Sequence, residues 1–162
     1  MIFAKELNFD WTNDNTEQHK KISSLFVYDT PFGFWISEID SAEYMLSLKP
    51  YKPHPHDTNY YPHLPFHELP LKAKPLGTPF QLSVWKALTL IPHCTTTHYS
   101  KIASTIHNPL AVRAVGTAIG RNPIIGFIPC HRVLAKNGTL GGFAYGPELK
   151  EQLLAYEKSY AS

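Results

Sequence analysis

The sequence predicts an α/β (α+β) protein, with a small β-containing N-terminal domain and a mainly helical C-terminal domain that carries a helix-turn-helix. Three observations predict this class. The first part of the chain has apolar, aromatic and β-branched runs between turn residues, the second part has apolar residues at helical spacing, and a proline-rich segment separates them. We therefore divide the chain into domains 1–76 and 77–162. At 162 residues the chain can bury a core in each.

The N-terminal domain is predicted to contain a β-hairpin. The strands are Ile22–Tyr28 and Phe34–Ile39, and the residues Asp29-Thr30-Pro31-Phe32-Gly33 between them are typical of a turn. After the hairpin, residues 41–48 are predicted to form a short helix that Pro50 ends.

A proline- and histidine-rich connector is predicted from about residue 50 to Pro79, because prolines at this density are incompatible with long helices or central strands. The spacing of its histidines matches no closed zinc site, and no cysteine accompanies them. We therefore predict no metal. These histidines are His54, His56, His63 and His67.

The C-terminal domain is predicted to begin with two helices. Thr78 is a capping residue, proline follows at the first helical position, and Gln81 completes a capping box. Apolar residues then recur at helical spacing until Pro92. A second, shorter helix is predicted to start after Ser100.

The third helix is predicted over residues 109–119, with Asn108 as its cap and Gly120 as a left-handed stop, and a last helix over 148–157. The second and third helices together form a helix-turn-helix pattern. The third helix is rich in small residues, which indicates close approach either of another helix or of a nucleic-acid backbone. These small residues, with one arginine among them, are Ala111, Arg113, Ala114, Gly116, Thr117 and Ala118.

Charge is unevenly distributed although the net charge is only +2. Residues 1–68 carry ten acidic and five basic side chains, whereas residues 69–147 carry eight basic side chains and no acidic one. This pattern favours a polyanionic partner such as DNA, although a chance excess of lysines is an alternative. No apolar run is long enough to span a bilayer, and the N-terminus does not resemble a secretory signal. We therefore expect a cytoplasmic protein without a membrane segment.

The two cysteines, Cys94 and Cys130, are too few for a disulfide framework. Cys130 ends an apolar, extended approach and is followed directly by His131 and Arg132. A neighbouring cation or histidine is expected to lower the pKa of such a thiol. His131 could accept the thiol proton, directly or through a water, if a carboxylate orients its ring, and Glu157 is the candidate carboxylate.

The motif Pro129-Cys130-His131-Arg132-Val133 resembles the active-site motif of the O6-alkylguanine-DNA alkyltransferases, the methylated-DNA–protein-cysteine methyltransferases. Further segments resemble that family in the same order, and the resemblance covers residues 77–157. These segments are Gly77-Thr78-Pro79-Phe80-Gln81, Val84-Trp85, Ile91-Pro92, Tyr99-Ser100, Asn108-Pro109, Arg113-Ala114-Val115-Gly116, Asn122-Pro123 and Leu153-Leu154.

The resemblance implies the chemistry of the site. Cys130 would accept the alkyl group from guanine O6, irreversibly and in one turnover, and His131 and Glu157 would form a water-bridged relay that deprotonates it. Tyr99 would give a proton to N3 of the leaving guanine. Asn122 would tie the turn between the recognition helix and the active-site segment. The substrate pocket would comprise Tyr99, Pro129, Val133, Phe143, Ala144 and Tyr145.

The resemblance also implies the partner. This is double-stranded DNA containing O6-alkylguanine, chiefly O6-methylguanine, with O4-alkylthymine as a further candidate. The protein would bind the minor groove as a monomer, flip the base out and use no cofactor. Arg113 would enter the base stack, and the N-terminal domain would be ribonuclease H-like. The DNA-binding residues would be Ser100, Lys101, Arg113, Ala114, Gly116, Thr117 and Arg121; Lys101, Arg121 and Lys136 are phosphate-contact candidates on charge alone.

Two departures from the family pattern concern the site. Ala144 and Tyr145 stand where many bacterial members have arginine and tryptophan, and Cys94 stands where glycine is common, with no role predicted for its thiol. Three other functions are compatible with parts of the sequence. A lesion-binding relative without repair activity would lack the acceptor cysteine, a helix-turn-helix transcription factor would need polar base-reading side chains, and a cysteine hydrolase would need an oxyanion motif.

Overall fold

The computed structural model describes residues 7–12, 22–52, 63–65, 68, 70 and 72–159. The chain divides into two compact units, Ile2–Leu76 and Gly77–Ser162. The predicted fold class is confirmed, because the first unit contains a β-sheet and the second is mainly helical. Among the helices that lie within the described ranges, none is long and apolar enough to cross a membrane.

The first unit is built on a six-stranded sheet of order β1-β6-β4-β3-β2-β5. The predicted hairpin is confirmed: β2 and β3 pair antiparallel from Ile22↔Asp40 to Thr30↔Gly33, with two turn residues between them. The strands are β1 (Asn8–Phe9), β2 (Ile22–Thr30), β3 (Gly33–Asp40), β4 (Met45–Pro50), β5 (His63–Pro65) and β6 (Lys72–Ala73).

The helix predicted over residues 41–48 is wrong, because β4 occupies its second half. The Asp40 carboxylate accepts hydrogen bonds from the backbone N–H groups of Ala42 and Tyr44, both at 2.9 Å, and Glu43 adopts a φ of 64°, so a tight turn replaces the first helical turn. Residues 45–48 are all buried, so β4 lacks the polar alternation that identifies a strand in sequence.

The proline-rich segment is more than a connector. Of its described residues, β5 pairs parallel with β2, and β6 lies between β1 and β4 in the sheet. These strands have three and two residues, so they need few backbone donors and escape a composition-based prediction. His63 belongs to β5, whereas His54, His56 and His67 lie outside the described residues.

The second unit begins with α1 (Pro79–Thr89), and its predicted start is confirmed. The Thr78 hydroxyl accepts from the Gln81 N–H at 3.2 Å, and the Gln81 side chain accepts from the Thr78 N–H at 2.9 Å. The buried side of the helix includes Trp85, whose indole N–H donates to the Ala118 carbonyl at 2.8 Å. This bond links the first helix of the unit to the third.

The predicted helix-turn-helix is formed by α2 (Tyr99–Thr105) and α3 (Val112–Gly120). Two details of the prediction are wrong. The residue before α3 is Ala111, and Asn108 instead accepts the Ala111 N–H through its backbone carbonyl at 3.0 Å; the left-handed residue is His107, with a φ of 56°. Gly120 is the last helical residue and is followed by Arg121 with a φ of −97°, so it is not a left-handed stop.

The chain then forms a 3₁₀ turn at Cys130–Arg132 and continues into β8 (Val133–Leu134), which pairs parallel with β7 (Thr97–His98). The last helix, α4, spans Pro147–Ser159. The side of α4 that faces the interior carries Leu153 together with two charged residues, Lys150 and Glu157, which are also buried. Those two buried charged groups contribute to the site described below.

Candidate active site

Cys130 opens the 3₁₀ turn and is 2 % exposed. Its N–H donates to the Ile128 carbonyl at 2.8 Å, and the Arg132 N–H donates to the Pro129 carbonyl at 3.1 Å. The segment before it makes only an isolated bridge between Ile125 and Ile128, so the extended approach predicted from sequence forms no regular strand. Tight local bonds therefore fix the position of the thiol.

Asn122 closes the loop that leads to Cys130, as the sequence predicted for this position. Its side-chain amide donates to the Ile128 carbonyl at 2.7 Å, and its side-chain oxygen accepts from the Ile124 N–H at 3.0 Å. The residue is 4 % exposed, so both bonds are shielded from water. Asn122 therefore couples the end of α3 to the thiol segment.

The Cys130 thiol is harder to ionise than the sequence suggested. Burial raises the pKa of Cys130 to about 11, and this outweighs the opposing effects of a hydrogen bond with Asn122 and of the Lys150 charge. The expectation of a lowered pKa is therefore wrong, because desolvation disfavours the thiolate. At neutral pH the group is a thiol, and reaction requires a base.

His131 and Glu157 form the predicted pair. The His131 Nε2 atom lies 2.8 Å from Glu157 Oε1, and both side chains are buried. Burial would raise the pKa of Glu157, but the hydrogen bonds and charges of His131 and Arg132 outweigh it and lower that pKa to about 2. The carboxylate is therefore an acceptor, and His131 must donate from Nε2.

His131 itself is neutral at physiological pH. Burial lowers its pKa, against the opposing effect of Glu157. With the ring proton on Nε2, the Nδ1 atom carries a lone pair, and it is buried without a hydrogen-bond partner among the described residues. The ring is thus oriented by a carboxylate at one nitrogen and able to accept a proton at the other.

Arg132 completes the buried network, and sequence reasoning assigned it only a general charge effect. Its Nη2 and Nε atoms donate to Glu157 Oε1 at 2.6 Å and 3.0 Å, and its Nη1 donates to the Ile91 carbonyl at 2.6 Å. Nη2 also lies 2.6 Å from His93 Nδ1. The sequence signal that could have identified Arg132 is its position directly after Cys130 and His131. Its hydrogen-bond partners could not be identified from sequence, because the fold determines them.

A pocket of about 230 Å³ leads to Cys130. Four of the predicted pocket residues line it: Tyr99, Phe143, Ala144 and Tyr145. The other two, Val133 in β8 and Pro129 directly before Cys130, are buried and do not line it. The sequence missed the remaining lining residues, which are Ile119, Gly120, Ile125 and Gly142, and it assigned Gly116 to DNA contact only.

Tyr99 lies at the start of α2 and faces the pocket. Its hydroxyl donates to the Gly142 carbonyl at 3.4 Å. Burial and the proximity of Cys130 raise the pKa of Tyr99, so the phenol keeps its proton at neutral pH. A Cβ at Gly116 would lie 3.8 Å from the Tyr99 ring, which indicates that α3 passes close to this side chain.

Lys150 is a buried cation that the sequence analysis did not select. Its Nζ donates to the Val133 carbonyl at 2.7 Å and to the Leu140 carbonyl, and lies 5.8 Å from the Phe143 ring centroid. Burial lowers the pKa of Lys150, and Cys130 opposes that shift. Lys150 thus links Leu140, which directly precedes the glycines next to the pocket residues, to Val133 in β8, the strand that follows Cys130.

The predicted DNA-binding residues lie on the helix-turn-helix and are largely exposed. Arg113, Ala114 and Thr117 are exposed on α3, Ser100 and Lys101 are exposed on α2, and Arg121 is exposed just after α3. Gly116 is half-buried because it lines the pocket. Lys136 is exposed in the turn after β8. The small-residue surface of α3 is therefore open to a large partner.

Cys94 is an exposed free thiol in a left-handed conformation, with a φ of 60°. Its N–H donates to Glu157 Oε2 at 3.1 Å, and its Sγ donates to the Glu157 backbone carbonyl at 3.3 Å. The positive φ explains why glycine suits this position. Within the described residues, no group of histidine, cysteine and carboxylate side chains could hold a metal ion.

The chain is similar to known proteins both in sequence and in structure. The family model for the 6-O-methylguanine DNA methyltransferase DNA-binding domain matches residues 79–159. The inducible methylated-DNA–protein-cysteine methyltransferase of Bacillus subtilis is 55% identical over 86 residues, which are 53% of this chain and 48% of that protein. The methylated-DNA–protein-cysteine methyltransferase of Methanosarcina mazei is 53% identical over 89 residues, which are 55% of this chain and 56% of that protein.

The matched segment thus spans about half the length of these curated relatives. Structural similarity extends over more of the chain. The crystal structure of Mycobacterium tuberculosis OGT in complex with DNA has a TM-score of 0.71 and 31% identity, and the similarity covers 84% of this chain and 93% of that one.

Proposed function

The chain belongs to the O6-methylguanine-DNA methyltransferase family, and from this membership we propose that it repairs alkylated DNA by transferring the alkyl group from guanine O6 to its own Cys130. The single observation that carries the proposal is a buried thiol at a pocket, next to a histidine that a carboxylate orients at 2.8 Å. O6-methylguanine is the chief substrate, and O4-alkylthymine is a further candidate.

The first step is activation of the thiol. Because the pKa of Cys130 is raised to about 11, a base must remove its proton before attack at neutral pH. The lone pair of His131 Nδ1 accepts that proton, directly or through a water, and Glu157 stabilises the imidazolium through Nε2. Burial favours the neutral ring, so the histidine readily releases the proton afterwards.

The second step is the displacement. The Cys130 sulfur attacks the alkyl carbon in line, a carbon–sulfur bond forms, and the bond from that carbon to O6 breaks. Guanine leaves with the bonding electron pair, and Tyr99 neutralises it by donating the phenol proton to the ring N3. The proton held by His131 then restores the phenol through solvent. The balance is one neutral guanine and one thioether, which is not readily hydrolysed, so each molecule acts once.

Access to Cys130 requires that the base leave the duplex, since a thiol that is 2 % exposed cannot reach a stacked base. The α3 surface supports docking in the minor groove, because after Val112 its exposed positions carry one arginine and otherwise small residues: Arg113, Ala114, Thr117 and Gly120. Arg113 enters the stack and holds the place of the flipped nucleotide. Ser100, Lys101 and Arg121 contact the backbone, and the protein acts as a monomer.

The proposal is tested by mass spectrometry. Excess protein is incubated with duplex DNA that contains one O6-methylguanine and is then digested with trypsin. We expect one added methyl group on peptide 122–132, which holds Cys130, and none on peptide 87–101, which holds Cys94. An undamaged duplex is the control. Absence of transfer or transfer to peptide 87–101 would refute the proposal. In a second incubation with the damaged duplex in excess, repair of more lesions than protein molecules present would refute the single-turnover mechanism.

A further inference from the structure

A short turn at the surface holds the outer side of the buried relay. We call residues Ile91–Cys94 the 91–94 turn; it follows the C-terminal end of α1. Its backbone accepts from Arg132 Nη1 through the Ile91 carbonyl at 2.6 Å and donates to Glu157 Oε2 through the Cys94 N–H at 3.1 Å. The turn therefore contacts both members of the Arg132–Glu157 ion pair.

His93 makes the side-chain contact of this turn. Its Nδ1 lies 2.6 Å from Arg132 Nη2. A guanidinium only donates, so Nδ1 must accept, and His93 must be neutral with its proton on Nε2. The ring is half exposed, with 47 % of its side chain accessible, whereas Arg132 and Glu157 are buried. His93 is thus a contact point between solvent and the relay.

We infer that His93 is a positioning residue for alkyl transfer: it fixes Arg132 and, through Arg132, the Glu157 carboxylate that orients His131. This inference rests on the proposed function. The geometry behind it is that Arg132 Nη2 is shared between His93 Nδ1 and Glu157 Oε1, each at 2.6 Å. Loss of the histidine acceptor leaves Nη2 with Glu157 Oε1 as its remaining partner and loosens the guanidinium on its solvent side, although its bonds to Glu157 and to the Ile91 carbonyl persist. The oxygen that His131 requires is then held less firmly.

The charged groups that face the His93 ring are Arg132 at the end of the 3₁₀ turn and Glu157 on α4, with His131 beyond Glu157. His93 Nδ1 lies 3.8 Å from Glu157 Oε1. The same oxygen accepts from Arg132 Nη2 at 2.6 Å and lies 2.8 Å from His131 Nε2. A change at His93 therefore reaches the oxygen that orients His131 through one side chain, Arg132.

Three variants test the inference: His93→Leu, which removes the acceptor, His93→Gln, whose amide oxygen can accept without titrating, and Thr96→Ala, an exposed position in the same loop, as the matched control. The first-order rate of methyl transfer is measured at saturating duplex DNA, separately from DNA affinity. At about pH 8 we expect His93→Leu to be about tenfold slower, the effect of one hydrogen bond to a charged group, and His93→Gln to be within about twofold of wild type.

Rescue by the conservative variant distinguishes positioning from a purely structural role. A structural role would slow both His93 variants alike, whereas a positioning role lets His93→Gln keep the rate that His93→Leu loses, with DNA affinity unchanged in both. Equal rates for His93→Leu and wild type, equal slowing of both His93 variants, or a loss confined to DNA affinity would each overturn the inference. If His93→Leu does not fold, slowing of folded His93→Gln by more than about twofold overturns it.

The contact is also measured without activity. Long-range proton–nitrogen NMR spectra of the wild-type protein report the tautomer of each imidazole, and we expect His93 to be protonated on Nε2 with Nδ1 accepting. The Nδ1–H tautomer or a charged ring at about pH 8 would contradict the inference. If wild type shows the expected tautomer but transfers no methyl group, the proposed function fails while the contact stands; normal transfer without the His93 effects removes only the inference.

Discussion

The two cysteines of this chain lie on either side of Glu157 in the same network and have opposite surroundings: Cys94 contacts Glu157 directly, whereas Cys130 is linked to it through the neighbouring His131. Cys130 is buried at a pocket, and the histidine next to it is oriented by the Glu157 side chain. Cys94 is exposed, and its Sγ donates to the Glu157 backbone carbonyl. The two side chains are identical, so a difference in reactivity must come from their surroundings, and we expect the pocket and the oriented base to make Cys130 the acceptor.

The two surroundings also differ in what they demand of the relay. Burial raises the pKa of Cys130 to about 11, so the proposed transfer needs a base, the part that we assign to His131 with Glu157. Around Cys94, the backbone N–H serves the Glu157 carboxylate and helps to hold it in place. The Glu157 carboxylate thus orients the histidine next to Cys130, and the backbone of Cys94 holds that carboxylate in place.

The largest expected effect comes from Cys130→Ser, which leaves Cys94 as the remaining thiol. We expect complete loss of methyl transfer with lesion binding retained, because serine keeps the shape of the pocket and lacks the nucleophile. Mass spectrometry of peptides 122–132 and 87–101 measures acceptance at both positions, and a band-shift assay measures binding. Methylation of Cys94 in this variant would contradict the expectation that its exposed surroundings make it unreactive. Equal loss of transfer and binding would indicate that Cys130 is a structural cysteine.

Glu157→Gln tests the carboxylate that contacts both the Cys94 backbone and the histidine next to Cys130. We expect transfer to slow by about 100-fold, since a neutral amide orients and stabilises a charged His131 poorly. The pKa of Glu157 is lowered from 4.5 to about 2 in the folded state. The corresponding stabilisation, about 3 kcal/mol, is present above pH 4.5 and lost as pH falls toward 2, because protonation of the carboxyl then accompanies unfolding.

Urea unfolding between pH 6 and pH 2 measures that loss, and Glu157→Gln should lack this component of the acid sensitivity. Asp10→Asn is a matched control in the first unit, where hydrogen bonding to Lys74, against the opposing effect of burial, lowers the pKa of Asp10 to about 2. The control should reduce acid-sensitive stability and leave transfer by the folded protein unchanged. A transfer rate that falls equally in both variants would mean that Glu157 acts through stability alone.

A smaller effect is expected from Arg113→Ala, a change on the exposed side of α3. It tests whether this helix affects the repair rate independently of the surroundings of the two thiols. Opening the base stack costs a few kcal/mol, and the arginine is expected to offset part of that cost. Without it, repair of O6-methylguanine in duplex DNA should slow by about tenfold. Reaction with free O6-benzylguanine needs no flipping and should change little. The ratio of the two rates is the measurement, and an unchanged ratio would remove the stack-entering role of Arg113.

The sequence by itself determined the features that depend on near neighbours. The hairpin around Pro31, the capping box at Thr78 and the order of motifs around Cys130 are local, and each was readable because a few adjacent residues specify backbone geometry or chemistry. The His131–Glu157 pair was also predicted, because the resemblance extends across both positions. The incorrect prediction of a helix over residues 41–48 shows where local sequence is insufficient. The conformation of that segment is determined by pairing of β4 with β3 and by the turn in which Glu43 has a positive φ.

Only the tertiary structure decided the contacts between distant residues. Arg132 meets Ile91 across 41 positions, and Cys94 meets Glu157 across 63. The same applies to the exclusion of Val133 and Pro129 from the pocket and to the raised pKa of Cys130. The physical reason is that burial and hydrogen-bond partners depend on which elements pack together, so desolvation reversed a pKa shift that the neighbouring residues alone had suggested.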